Sequence, residues 1–472
     1  MSGFLHAICR FTVIFVLTGF CSGLRLCTFI TYLLSLLCRN ILFVAPQFAA
    51  ELEEMKAAWT EGGTEGCKHL LEEKADEWKK VPIKVAVTGN SGVGKSSFIN
   101  AIRGLTADDV ELGAAAVGVN ETTLEPRSYQ HPDNPMLEFW DLPGVGTNEF
   151  PKATYLPKIG VDRYDFFLLM TADRFTENDT WLGKEIRGRN KKYFFVRTKI
   201  GVDISNDRQS HPRTHNEEAV IERIRRSTED QLKKNGCEDV PVFLIDNYQL
   251  NKFEFEKLKQ QIIQDFPELK RSALIFSLQS TSEEMVKVKV AELRSRRWKC
   301  AALSAGVAAV PVPGLSVGVD LGIIIHEAIF YVKQLGIDST SLQRCARLHS
   351  VDHVKLQSVV TRALGYRVAG TVTSETMRLI VLSILGRSIP IVAATAVEEG
   401  ARAFMPLIGS LIAAPLSFGG TYLALKLILD KFEMLALEVM KIVAGDVGMA
   451  AEIDGENATG EVGETVVAAQ LD

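Results

Sequence analysis

A short glycine-rich stretch contains the residues of this chain that are best suited to binding phosphate. It reads Gly89-Asn90-Ser91-Gly92-Val93-Gly94-Lys95-Ser96 and fits the pattern G-x-x-x-x-G-K-[ST] at every fixed position. Glycines allow main-chain N–H groups to wrap closely around a polyanion. The pattern predicts that Lys95 contacts the β- and γ-phosphates of a nucleotide and that Ser96 ligates Mg²⁺. Ser97 is a candidate nucleotide contact or a helix-packing residue.

The flanking sequence places this loop between a strand and a helix. A β-branched run at Ile83–Val87 precedes it, and apolar residues follow at Phe98, Ile99, Ile102 and Leu105. That spacing is typical of one buried helical face. A helix that starts at the loop directs the positive end of its dipole towards the same phosphates.

Two further segments have the residue types that a triphosphate and its metal need. Asp141-Leu142-Pro143-Gly144 follows an apolar run, so Asp141 is expected to hold Mg²⁺ and Gly144 to donate its N–H to the γ-phosphate. Between the phosphate loop and Asp141, a threonine must close on the metal and the γ-phosphate, and Thr123 is the candidate, with Thr122 in reserve. Together with Lys95, Thr123 and Gly144 form the predicted catalytic set.

A loop that selects the base is expected after a later strand. Thr198 and Lys199 begin such a loop, and the Lys199 side chain is expected to lie over the base plane. The carboxylate that pairs with guanine should stand at position 201, where the chain has Gly201. Asp203 comes two residues later and needs a reshaped loop to serve. If the loop keeps the ordinary register, a Gly201→Asp variant is expected to bind GTP more tightly.

The end of the last candidate strand adds a further base contact. Asp246 and Asn247 stand there, where a contact with the guanine O6 is expected. These residues complete the predicted nucleotide set, which binds GTP or GDP with Mg²⁺.

Short apolar strands alternate with helical patterns, which indicates an α/β domain with a mostly parallel sheet. After Ile83–Val87, the candidate strands are Met136–Trp140, Tyr164–Met170, Tyr193–Arg197 and Val240–Ile245. Helical patterns fill the gaps, notably Glu217–Lys234, which Asn235-Gly236 terminates. The chain is therefore predicted to comprise a hydrophobic leader, an N-terminal helical segment, the nucleotide-binding domain, a C-terminal helical domain and a disordered acidic tail, at 1–45, 46–80, 81–275, 276–445 and 446–472.

Composition limits the partners. With a formal net charge of −5, the chain has no global basic field, so no nucleic-acid partner is expected.

The first fifty residues contain no Asp, Glu or Lys. That leader is either a membrane segment, a palmitoylated segment, a signal peptide or an extension ahead of a start at Met55. A cytoplasmic location on intracellular membranes is predicted.

The C-terminal part contains long apolar stretches after a charged helical pattern at Ser280–Lys299. They lie at Cys300–Val319, Ile380–Val397 and Phe404–Leu425, and they are interrupted by proline, glycine or arginine. Length alone permits membrane spans. The proline and glycine density favours kinked buried helices or helical hairpins.

Several of these motifs resemble the immunity-related GTPases, a dynamin-like, interferon-inducible family. The resemblance covers roughly residues 65–445, and it is of the GKS type because Lys95 precedes Ser96. It rests on the phosphate loop with Ser97-Phe98-Ile99-Asn100, on Phe139–Gly144, Tyr164–Phe167 and Phe195–Lys199, and on Gly336–Leu342. It implies GTP hydrolysis, homo-oligomers formed through the GTPase domains, membrane targeting and a role in innate immunity. Gly201 and the hydrophobic leader depart from the family pattern.

The residues leave three functions open. Val145 follows Gly144 where a water-orienting glutamine is usual, so slow turnover with activation on assembly is expected. Alternatively, the protein is a nucleotide-binding membrane scaffold with negligible catalysis, because Gly201 lacks the base-reading carboxylate. A P-loop ATPase or kinase is the remaining alternative, and Thr198-Lys199 argues against it.

Overall fold

The computed structural model describes residues 76–118, 125–147, 149–308, 315–364, 373–385 and 419–445, with scattered positions from 54 to 73. The leader, the acidic tail and most of the two last apolar stretches lie outside these residues. Where the described residues are helical, no helix is both long and apolar enough to cross a membrane.

A six-stranded sheet forms the centre of the nucleotide-binding part, in the order β2-β3-β1-β4-β5-β6. Its strands are β1 Ile83–Gly89, β2 Arg127–His131, β3 Asn134–Asp141, β4 Phe166–Thr171, β5 Lys192–Arg197 and β6 Val242–Leu244. All neighbouring pairs are parallel except β2 with β3. The predicted α/β class with a mostly parallel sheet is confirmed.

Burial explains why β4 lies at the centre. All six of its side chains are buried, as expected for a parallel strand covered on both faces. Phe166 and Leu168 belong to the apolar cluster on one face, while Phe167 and Leu169 belong to the cluster on the other. The alternation follows from the two-residue period of a strand.

The edge strand β2 is absent from the sequence-based prediction. It pairs antiparallel with β3, placing Tyr129 opposite Phe139, and most of its residues are exposed. Polar residues on an exposed edge give no apolar run to recognise, because only one face of such a strand contributes to the core.

Helices follow most strands. Those of the nucleotide-binding part are α1 Lys95–Ile102, α2 Lys152–Ile159, α3 Glu177–Gly188, α4 Ile200–Ser210, α5 Glu217–Lys234 and α6 Phe255–Asp265. The predicted bounds of α5 are confirmed at both ends, and the Asn216 side chain accepts a hydrogen bond from the Ala219 N–H at its start. The predicted buried face of α1 is also confirmed, with Phe98, Ile99 and Ile102 in the core.

The C-terminal part is helical. Its helices are α7 Glu268–Ser277, α8 Glu283–Ala308, α9 Leu315–Leu335, α10 Ser339–His349, α11 His353–Leu364, α12 Ser374–Leu385 and α13 at residues 419–445. The predicted helix at Ser280–Lys299 corresponds to α8, which starts later and continues past Cys300.

Side-chain pairs fix the helices α8, α9 and α13 against one another. Arg296 on α8 contacts Glu327 on α9 at 2.7 Å, and Arg297 donates to the Tyr422 hydroxyl of α13 at 3.0 Å. From the N-terminal side, Trp78 packs edge-on against Phe276 of α7, with ring centroids 5.7 Å apart. Segments from both ends of the chain therefore contribute to this helical packing.

Candidate nucleotide-binding site

The phosphate loop joins β1 to α1 and has an unusual backbone. Gly92 and Gly94 have φ of 75° and 90°, a region that side chains with a Cβ rarely adopt. A Cβ at Gly94 would also meet the Asn247 side-chain nitrogen at 3.0 Å. At position 94, glycine is therefore needed for both conformation and space, which is why the pattern recognised in the sequence has a fixed glycine there.

Lys95 lies across the loop that precedes it. Its Nζ donates to the main-chain carbonyls of Gly89 at 3.0 Å and Asn90 at 3.2 Å, and the residue is buried. This arrangement holds the ammonium group at the rim of the cradle. A polyanion there would meet both the charge of Lys95 and the main-chain amides at the start of α1.

Ser96 and Asp141 contribute two oxygen groups at one point. The Ser96 hydroxyl donates to Asp141 Oδ2 at 3.1 Å, although the two residues come from α1 and from the end of β3. A hydroxyl and a carboxylate are hard oxygen ligands, which Mg²⁺ prefers, and Mg²⁺ usually takes its remaining ligands from water and phosphate. Among the described residues there is no cluster of three or more His, Cys, Asp or Glu side chains. The Ser96 hydroxyl and the Asp141 carboxylate fit a magnesium ion that takes its remaining ligands from a nucleotide and water.

An open cavity of about 340 Å³ lies over the loop. The sequence-predicted residues that line it are Ser91, Gly92, Gly94, Lys95, Ser96, Ser97, Gly144, Lys199, Asp246 and Asn247. The volume of this cavity is within the range typical of ligand-binding clefts. Four separate segments of sequence thus converge at one end of the sheet, at the carboxyl ends of its parallel strands, as is general for open α/β sheets.

Other predicted residues have different positions. Gly89, Asn90 and Val93 belong to the phosphate loop but do not line the cavity. Thr198 is completely buried and donates to the Val93 carbonyl at 2.7 Å, so it supports the loop from behind. Thr123 and its alternative Thr122 lie outside the described residues.

Asp203 is not one of the residues that line the cavity. Its carboxylate contacts the Arg197 guanidinium at 2.6 Å. Burial raises the pKa of Asp203, and the guanidinium opposes that rise. The geometry thus gives Asp203 an ion-pair partner at the end of β5 and does not support the predicted contact with the base.

Two residues near the site were not recognised from the sequence. Tyr248 is 77% exposed, lines the cavity, and its hydroxyl lies 3.2 Å from that of Ser97. Tyr155 on α2 is fully buried and donates to the Pro143 carbonyl at 2.8 Å, while its oxygen lies 2.9 Å from the Thr88 hydroxyl. Burial raises the pKa of Tyr155, so it stays protonated. Only proximity to Asn247 could have indicated Tyr248, and no sequence signal indicated Tyr155.

The parallel sheet, the glycine-rich loop and the serine–aspartate pair define a P-loop nucleotide-binding domain. The profile of the interferon-inducible GTPase (IIGP) family matches residues 49–396. The chain belongs to this family of GTPases.

Individual relatives agree with that assignment. The chain is 35% identical over 379 residues to the interferon-inducible GTPase 5 of Rattus norvegicus, which covers 80% of this chain and 79% of the relative. It is 36% identical over 278 residues to the interferon-inducible GTPase 1 of Mus musculus, covering 59% and 67%. A solved structure of NFeoB from S. thermophilus bound to GDP.AlF4⁻ and K⁺ is only 15% identical over 63% of this chain and 97% of its own, with a TM-score of 0.26.

Proposed function

We propose that this protein binds GTP in the cavity over the phosphate loop and hydrolyses it to GDP and phosphate. The observation that carries the proposal is the convergence of Lys95, Ser96 and Gly144 on one cavity, with Asp141 behind Ser96. The loop amides and Lys95 bind the β- and γ-phosphates. Gly144 offers a main-chain N–H where the γ-phosphate must end, since it lies directly against the loop: a Cβ there would meet the Gly89 carbonyl oxygen at 3.1 Å.

Ser96 and Asp141 would hold a magnesium ion delivered with the nucleotide. Such an ion neutralises the charge on the transferred phosphoryl oxygens when it is bound. The residues of the chain then orient the nucleotide and exclude water from its buried side. Thr123 is proposed to close over the metal and the γ-phosphate from the preceding loop.

Turnover by an isolated molecule is expected to be slow. Val145 follows Gly144 and is buried in the apolar cluster that packs beneath α2, so it offers no polar group to orient the attacking water. A second molecule that docks through its own GTPase domain would supply the missing group. We therefore propose nucleotide-dependent self-assembly through these domains.

Intracellular membranes are the proposed place of this assembly. The apolar stretches of the leader and of the C-terminal part support membrane association. The relatives carry names such as interferon-inducible GTPase, which support a proposed role in innate immune defence.

The decisive experiment compares wild-type protein with Lys95→Ala in equilibrium titrations of GTP and GDP. Loss of GTP and GDP binding with an unchanged melting temperature of the nucleotide-free protein is expected. Lys84→Ala on β1, a lysine outside the cavity, is the matched control. Undiminished GTP affinity of the Lys95→Ala protein would overturn the proposal.

The dependence on assembly has a separate readout. Specific GTPase activity should rise with protein concentration, because the catalytic unit contains two molecules. Activity that stays proportional to protein concentration would remove the assembly proposal and leave nucleotide binding intact.

A second candidate function is a nucleotide-binding membrane scaffold with negligible catalysis. The burial of Val145 and the glycine at position 201 favour it. No GTP turnover at any protein concentration, together with tight GTP binding, would select the scaffold.

A further inference from the structure

The glycine at position 201 is paired with an acid from another strand. The main-chain N–H of Gly201, in the first turn of α4, donates to Asp246 Oδ2 at 3.1 Å. Asp246 follows β6 and is only 5% exposed. The site that was expected to carry a guanine-reading carboxylate thus lies directly against a carboxylate that comes from elsewhere in the chain.

The space beside Gly201 is already filled. A Cβ added there would lie 2.9 Å from Asp246 Oδ2 and 3.0 Å from the Gln249 side-chain nitrogen. An aspartate at position 201 would have to project into the volume that the Asp246 carboxylate occupies. Glycine at position 201 therefore leaves free the space that the Asp246 carboxylate occupies.

Asp246 also lies among residues that can surround a nucleobase. It lines the cavity together with Lys199, Asn247 and Tyr248. Asp203 does not line it and is held by Arg197 at 2.6 Å. Among the described residues that line the cavity, Asp246 is the one carboxylate.

We propose that Asp246 is the guanine-selecting carboxylate of this site, in place of an aspartate at position 201. The proposal rests on the proposed function, because it presumes that the cavity binds a nucleotide. Guanine presents two adjacent donors, N1–H and the 2-amino group, and a carboxylate accepts both. Adenine presents an acceptor at N1 and no donor at C2, so the same carboxylate rejects it.

The hydrogen bonds already made by Asp246 leave capacity for the base. Oδ1 accepts from the Tyr248 N–H at 2.9 Å, and Oδ2 accepts from the Gly201 N–H. Each carboxylate oxygen has about two acceptor positions, so each retains one. The two main-chain donors fix the orientation of the carboxylate, which pre-organises it for a planar ligand.

The first test uses base analogues with the full-length chain. Xanthine has a C2 carbonyl where guanine has an amino group, so an amide can donate to it where a carboxylate cannot. Asp246→Asn should weaken GTP binding about ten- to hundredfold and strengthen XTP binding, which inverts the preference of the wild type. Asp203→Asn is the matched control and should keep the preference for GTP.

The second test places a carboxylate at position 201 and then removes the one at position 246. Gly201→Asp alone should weaken GTP binding, because two carboxylates would compete for one volume, and this reverses the expectation from the sequence. Gly201→Asp combined with Asp246→Ser should recover a preference for GTP over ATP, since it removes that conflict. Recovery in the double variant tests the proposal even if Asp246→Asn fails to fold.

The possible outcomes distinguish the proposed function from the proposed role of Asp246. A wild-type protein that binds neither GTP nor GDP removes the proposed function, and this assignment with it. A wild type that prefers GTP, with an Asp246→Asn variant that folds, keeps that preference and gains no affinity for XTP, overturns the role of Asp246 alone. Loss of GTP preference in Asp203→Asn instead would move the role to Asp203.

Discussion

The hydroxyl of Thr198 donates a hydrogen bond to the main-chain carbonyl of Val93 at 2.7 Å, which ties the end of β5 to the phosphate loop. The same hydroxyl lies 3.1 Å from the Thr171 carbonyl at the end of β4. Thr198 thus links three segments at the carboxyl edge of the sheet. The start of the loop after β5 and the phosphate loop are positioned by one buried side chain.

Replacing this threonine with valine should affect both stability and nucleotide binding. Thr198→Val keeps the shape and leaves buried carbonyls without their partner, so the free energy of unfolding should fall by about 1–3 kcal/mol. GTP affinity should fall as well, because Val93 is no longer held. Thr228→Val on α5 removes a similarly buried hydroxyl far from the cavity and is the matched control. Denaturant unfolding and GTP titration give the two readouts. Equal GTP affinity in the two variants would contradict the linking role.

Tyr155 connects the strand before the phosphate loop with the segment after β3. Tyr155→Phe should lower the free energy of unfolding by about 1–3 kcal/mol, since the Pro143 carbonyl loses its buried donor. Tyr331→Phe is an instructive control, because no partner for the Tyr331 hydroxyl is found in the part of the chain that the structure describes. That variant should be neutral or slightly stabilising. Thermal melts of both variants decide the matter, and a larger loss at Tyr331 would refute the reasoning.

Lys289 on α8 is buried and donates to the Gln334 carbonyl at 2.9 Å. Burial lowers its pKa to about 7. The unfolded chain binds this proton more tightly, so the destabilisation is full below pH 7 and is relieved as pH rises from about 7 towards 10.5.

Lys289→Met should therefore stabilise the protein most at pH 6, and its advantage over the wild type should shrink by pH 9. Melting temperatures across this range measure the difference. Lys287→Met, at an exposed position of the same helix, should show no such trend. A gap between wild type and Lys289→Met that widens with pH would contradict the direction of the pKa shift.

The ion pair between Arg296 and Glu327 lies between α8 and α9, with Glu327 almost completely buried. Glu327→Leu should cost about 3–5 kcal/mol, because it leaves a guanidinium without its counter-charge. Arg296→Met combined with Glu327→Leu should cost less than Glu327→Leu alone, since no charge is left behind. Chemical denaturation of the single and double variants measures both values. A double variant less stable than Glu327→Leu would show that the charge itself is not the cause.

The sequence predicted the parts of this site in which one local pattern determines the geometry. The phosphate loop is such a part, because its glycines are required by backbone conformation and its lysine and serine by chemistry. The buried strands were equally visible, since β4 is apolar at every position except its last residue, Thr171. These signals are contained in a few consecutive residues.

The parts that were missed depend on contacts between distant residues. Even the ion pair of Asp203 with Arg197, six residues earlier, depends on how the loop after β5 turns into α4, and no local pattern of residues indicates it. Gly201 looked like a loss because the carboxylate beside it comes from position 246. The polar edge strand β2 and the buried hydroxyl of Tyr155 likewise gain their meaning only from the strands and loops they touch.

The largest apolar cluster continues beyond the sheet. Phe166 on β4, Phe276 on α7, Phe330 on α9 and Phe432 on α13 all belong to it, and the rings of Phe276 and Phe330 are 5.3 Å apart. Rotating the helices away from the sheet would expose this cluster to water, at a cost of about 25 cal/mol per Å² of apolar surface. We therefore expect the sheet and the helices α7, α9 and α13 to move as one unit, because separating them would expose this cluster.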